Sequence, residues 1–241
     1  MHRFAILLCI GTLCACQPSK PPAPATNAPQ PATQPLASSA PVAAADSSFV
    51  LPGDYAQATT AADLEARFGK ANVQIVPDPD DPHRRSLVLF ANDPSRRAYV
   101  TFHNDEALTD LAGIEVRDVD SRWRGKRGVR VGMAFSELRQ LNGKPFYLQG
   151  FDSEHRAWVH DQWSPSLDDN DSQLGALDVE EEDHMYFGVK LGLRAGAGEV
   201  PASALPVDDS ISSDDPRFPR LGELVVITAF DATTSLDDEW E

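Results

Sequence analysis

Between Phe49 and Phe230 the apolar residues recur at helical and strand spacings; before Asp46 they show no period. Thr60-Ala61-Ala62-Asp63 reads as a variant capping box, with Thr60 as N-cap and Asp63 three residues on. Leu64 and Phe68 then share one helical face, and Gly69 is placed to close the helix in the left-handed conformation. Residues 86–91 (SLVLFA) and 97–103 (RAYVTFH) read as adjacent strands joined by Asn92-Asp93-Pro94-Ser95, and Ile114-Glu115-Val116 continues the alternation. A second helix is predicted through Phe135, Leu138 and Leu141, stopped by Asn142-Gly143 with Pro145 beyond. Residues 146–151 and 156–160 read as a further strand pair, 187–193 as a half-buried strand and 224–230 (LVVITAF) as a central one. The stretch 194–220, rich in Gly, Pro, Ser and Asp, reads as a long loop, either mobile or functional.

Two-turn helices are marginal alone and must pack on a sheet. The expected class is therefore α+β, with two related helix-plus-antiparallel-sheet halves packed as a two-layer domain. A spacing of 74 residues separates Gly69-Lys70 from Gly143-Lys144 and also pairs Leu64 with Leu138, though Phe68 and Leu141 fall out of register by one. The domain spans 47–241, with halves at 47–125 and 126–230 and an acidic tail at 231–241. Residues 17–46 are dominated by Pro, Ala, Ser, Thr and Gln and cannot bury enough surface to offset chain entropy. They read as a disordered tether that reaches roughly 90 Å if fully extended as polyproline II.

Residues 1–15 combine a short basic start with an apolar run of about ten residues, half of what a spanning helix needs. The junction Leu13-Cys14-Ala15-Cys16 resembles the lipobox of bacterial lipoproteins, with Cys14 departing from the usual small residue. The resemblance implies acylation at Cys16, and Gln17 in place of Asp implies the outer membrane, with the domain in the periplasm. All three cysteines lie in this segment, so the domain holds no disulfide and no cysteine metal ligand.

Residues 131–145 (VGMAFSELRQLNGKP) resemble the helix motif of barrel-assembly accessory lipoproteins, which recurs in tandem-repeat β-lactamase inhibitor proteins. Gly132-Met133, Glu137, Gly143 and Pro145 match; Ala134 stands where the family has a capping Thr, and Asn142 where it has Leu. The resemblance covers about fifteen of 241 residues and implies a fold, with envelope interaction as its function.

No G-x-S-x-G, S-x-x-K, H-E-x-x-H or Walker pattern is present, so no catalytic residue, metal or cofactor is expected. His155 and His160 are five apart and diverge on either a strand or a helix. The acidic runs at 168–171, 180–183 and 237–239 lack calcium-loop spacing and read as solvated. The chain carries 21 basic and 37 acidic residues; loss of Arg3 with the signal leaves a net charge of −17. That average charge disfavours nucleic acid and anionic surfaces and favours a basic protein partner. Against it stands the cluster Arg122, Trp123, Arg124, Lys126 and Arg127. It is read either as an interface anchor or as a solvated turn holding Trp123 in the core. Together these features point to a non-enzymatic interaction module, tethered to a membrane through Cys16. The alternative is an inhibitor or immunity protein neutralising a basic enzyme such as a cell-wall hydrolase.

Overall fold

The computed structural model describes residues 46–78, 81–159, 163–164, 175–178, 185–207 and 209–234. The expected signal segment, the tether before Asp46, His160 and the three acidic runs lie outside them. Helix α1 (Ala61–Phe68) leads into strands β1 (Val73–Pro77), β2 (Arg85–Leu89), β3 (Ala98–Asn104) and β4 (Thr109–Val116). Helix α2 (Phe135–Asn142) leads into β5 (Tyr147–Leu148), β6 (Ala157–Val159), β7 (Met185–Leu193) and β8 (Ile211–Ser212). A single turn, α3 (Leu221–Leu224), runs into the ten-residue β9 (Val225–Thr234). The main sheet has seven strands in the order β1-β2-β3-β4-β9-β7-β6, with antiparallel pairing throughout; β5 and β8 pair separately. The class is α+β.

Strand alternation sorts the side chains onto two faces. Leu87, Leu89, Val100, Phe102, Ile114, Leu191, Ile227 and Phe230 are fully buried on one face. Leu64 of α1 and Phe135 and Leu138 of α2 join the same core. The α1 capping box forms as expected, with Asp63 N–H donating to Thr60 Oγ1 at 3.2 Å and Thr60 N–H to the Asp63 carboxylate at 2.9 Å. Gly69 ends α1 at φ 84°, ψ 135°, which is not the left-handed helical conformation expected for it; Gly143 does adopt that conformation, at φ 74°, ψ −6°. Ala134 leaves α2 without a side-chain cap.

Three expectations change. The predicted pair 146–151 and 156–160 meets through one isolated bridge, Gln149 to Trp158, because β5 pairs with β8 instead. The stretch 194–220 is largely exposed but tied down at points, with β8 inside it: Leu205, Ile211 and Ser213 are buried, Phe151 N–H donates to the Pro206 carbonyl at 2.7 Å, and the Ser213 hydroxyl accepts from Phe146 N–H at 3.0 Å. Strand β9 continues to Thr234, so residues 231–234 belong to the sheet and not to an acidic tail.

Asn142 explains its own departure from Leu. It is 1% exposed, and its amide donates to the carbonyls of Lys144 (2.9 Å) and Trp163 (3.0 Å) while accepting from Leu177 N–H (3.1 Å). One side chain thus ties the end of α2 to two segments distant in sequence. At the outer edge, Phe90 N–H donates to the Asn72 carbonyl and Asp78 N–H to the Arg84 carbonyl. In the β1–β2 register this turns the backbone polar groups of Gln74 and Val76 toward β2 and those of Val73, Ile75 and Pro77 outward.

Asn142→Leu strands the buried Trp163 carbonyl and Leu177 N–H and the part-buried Lys144 carbonyl, so it should destabilise the fold by about 3 kcal/mol. The expected readout is a lower denaturant midpoint at unchanged m-value.

Candidate functional site: the open face of the sheet

The second face of the sheet is polar where the first is apolar. It presents Tyr99, Thr101 and His103 from β3, Glu115 from β4, Thr233 from β9, Tyr186 and Lys190 from β7 and Trp158 from β6. Small residues make room between them. A Cβ on Gly188 would lie 2.5 Å from Asp231 Oδ1, and one on Gly192 would lie 2.7 Å from Thr228 Cγ2. The carboxylate of Asp231 therefore rests over the Gly188 backbone.

At the centre, β4 and β9 place Glu115 directly opposite Asp231. Two cations meet the Glu115 carboxylate. Arg117 donates to both Glu115 oxygens at 2.8 and 2.9 Å, and Lys190 Nζ lies 3.0 Å from the same carboxylate. The Arg117 guanidinium also stacks on Tyr99, 4.5 Å from the ring centre. Burial pushes the Glu115 carboxyl up, but Arg117 and Lys190 outweigh it and hold it below its ordinary value of 4.5. Glu115 is thus held ionised, with both oxygens engaged, an arrangement suited to recognition and not to proton transfer near neutral pH. Nearby, the Thr234 hydroxyl donates to the Leu111 carbonyl, so His103 Nε2 at 2.9 Å must be the donor to Thr234 Oγ1.

The residues singled out from sequence lie elsewhere. Trp123 is fully buried, its indole N–H donating to the Arg96 carbonyl at 2.7 Å. Of its two readings, the turn that holds it in the core is the one observed, and its ring is not available as a surface anchor. Arg124 is half-buried, donating to the carbonyls of Ser121 and Trp123, each at 2.7 Å. Arg122 and Arg127 are exposed, Lys126 is half-buried, and Arg130 forms a two-pronged pair with Glu137. His155 is exposed in the turn before β6. Cys16 lies outside the described residues.

The alternation of residues 97–103 marks a strand, and its polar phase lies on the candidate face; an aromatic on the solvent phase of a strand, as at Tyr99 and Trp158, is the signal in the sequence. Among the described residues no group of three or more His, Cys, Asp or Glu is placed to hold a metal, and no helix is long and apolar enough to cross a membrane. A shallow depression of about 440 Å³ at the end of α2, lined by Ser136, Arg139, Gln140, Gly143, Lys144 and Pro145, gathers no comparable chemistry.

No protein-family model matches the chain, and no curated protein and no solved structure does.

The folded-state pKa of Glu115 is depressed, so its stabilising contribution is complete above its ordinary value and is lost as pH falls through the folded value. The stability gap between wild type and Glu115→Gln should be constant above about pH 5 and close below it, as measured by denaturant melts across pH.

Proposed function

We propose that this chain is a non-enzymatic interaction module of the bacterial cell envelope, acylated at Cys16 on the outer membrane with its domain in the periplasm. It docks a protein partner on the open face of its sheet. The carrying observation is the composition of that face. Tyr99, Tyr186 and Trp158 are aromatic groups of the kind that anchor interfaces, and they surround an Arg117–Glu115–Lys190 network in which two cations share one carboxylate. A network already paired within one molecule meets a partner without stranding a bare charge. The tether before Asp46 supports a domain that works at a distance from its anchor.

The finer architecture belongs to the same reading: the halves 47–125 and 126–230 are related. Helices α1 and α2 are both eight residues long and begin 74 residues apart, the spacing that also separates Gly69 from Gly143. The sheet reads outward from the β4–β9 seam as β3-β2-β1 on one side and β7-β6 on the other. Each seam strand bulges against its outer neighbour: β4 skips Ala112 and β9 skips Thr228. Glu115 and Asp231 are register partners across that seam, which is compatible with related halves. This arrangement supports the resemblance to barrel-assembly accessory lipoproteins and tandem-repeat inhibitors.

The net charge of −17 after loss of Arg3 favours the second reading, an inhibitor or immunity protein against a basic enzyme.

The test is capture from envelope extract on the immobilised chain. Trp158→Ala and Tyr186→Ala should weaken the captured partner at least tenfold, the loss of about one anchor's contribution, whereas Ile75→Ala on the outer edge should not. Retention by both face variants would defeat the face as docking site. A basic hydrolase inhibited at equimolar chain would select the second reading.

A further inference from the structure

The chain joins its fold at a fixed point. Asp46 accepts from Ser48 N–H at 3.1 Å, and the Tyr55 hydroxyl donates to the Ser48 carbonyl at 2.6 Å. Phe49 wedges between rings, 5.1 Å from Trp123 and 5.6 Å from Phe68. Residues 49–51 then run alongside the segment at 124: Arg124 N–H donates to the Phe49 carbonyl, and Leu51 N–H to the Arg124 carbonyl, both at 2.9 Å. The basic cluster is therefore laid against the root of the tether.

Between Ser121 and Met133 the chain carries Arg122, Arg124, Lys126, Arg127 and Arg130 and no acid, in a protein with 37 acidic residues. The Arg122 guanidinium lies 4.5 Å from the centre of the Phe49 ring, so one of these cations sits on the root itself. Arg127 is exposed at φ 57°, in a turn closed by Gly128 N–H donating to the Gly125 carbonyl at 2.9 Å. Val119, 71% exposed, lies beside Gly132, where a Cβ would come within 3.5 Å of its Cγ1; its neighbours are Asp118, which pairs with Arg97, and the exposed Asp120. Arg130 is held by Glu137 and Arg124 by backbone carbonyls, so Arg122 and Arg127 are the cations placed to meet the headgroups of an anionic bilayer.

We propose that this basic collar seats the domain on the anionic phospholipid headgroups of the membrane that holds its anchor, an inference that rests on the tethered reading. The average charge argues against such contact, but charge at a distance is screened beyond roughly 8 Å at physiological salt, and the collar is what comes into contact. Each cation near an anionic surface adds roughly fivefold to binding, so Arg122 and Arg127 together give about twenty-fivefold. That is weak for a free protein. A tether of thirty residues raises the local concentration toward the millimolar range, where weak contacts are populated.

The test uses the lipidated protein with Val119→Cys carrying a fluorophore, on vesicles with acceptor-labelled lipid. Energy transfer should be higher on phosphatidylglycerol vesicles than on phosphatidylcholine vesicles, and the difference should vanish as salt rises. Arg122→Gln with Arg127→Gly should return transfer to the neutral-vesicle level; glycine suits the backbone at 127, and an unchanged melting curve shows that the fold is intact. Equal transfer on both vesicles at low salt, or an undiminished difference in the double variant, overturns the proposal. So does collar-dependent capture of an acidic protein without lipid preference. Failure to associate with neutral vesicles defeats the anchor reading instead, and the label still reports whether phosphatidylglycerol alone draws the collar in.

Discussion

Strand β9 is paired along its length by β7 and over Phe230–Thr233 by β4, and it faces the core with Val225, Ile227, Phe230 and Ala232. Buried apolar area of this kind is the main favourable term in folding, and here it lies on a strand that both sides of the sheet share. If β9 were displaced, β4 and β7 would each lose a neighbour and the two halves of the core would separate. The aromatic chain Phe135, Phe146, Trp163, Phe187 and Phe230 ends on this strand. The other aromatic group, around Phe49, Phe68, Phe90 and Trp123, gathers near the chain's entry to the fold. The seam between them also carries the Glu115–Asp231 juxtaposition, so the stability of the core and the charge pattern of the open face depend on one pairing.

What could be read from the residues was local. The Thr60–Asp63 box, the Gly143 stop and the apolar run at 224–230 each act within a few residues, and each appears where its chemistry requires. What could not be read was pairing across distance. Nothing near Tyr147 announces that its strand partner is Ser212, and nothing near Asn142 announces Trp163 and Leu177. Asn142 reads locally as an imperfect Leu, and its role depends on segments brought in by the rest of the fold. The candidate face was hidden for the same reason. Tyr99, Glu115, Lys190 and Trp158 come from four strands, and only the sheet order places them together. The basic cluster attracted attention by composition, yet its aromatic member serves the core.

The two surfaces are built differently. The open face pairs its charges across strands and adds aromatic area from three of them. The basic cluster instead gathers one sign in a short stretch of chain beside Phe49.

The outer edge of β1 has a bearing on how the molecule behaves among its neighbours. In its outward row, Val73, Ile75 and Pro77, the Val73 N–H is already taken by the Lys70 carbonyl, Ile75 offers a donor, and the proline has none. A proline there removes a donor without breaking a bond to β2, because residue 77 points away from that strand. A foreign strand that annealed to this edge would find a donor at Ile75 alone on that row. Exposed, uncharged strands are where chains template one another into fibrils. Here a short 3-10 turn on one side and a proline ring on the other leave too few rungs for neighbouring copies to merge their sheets.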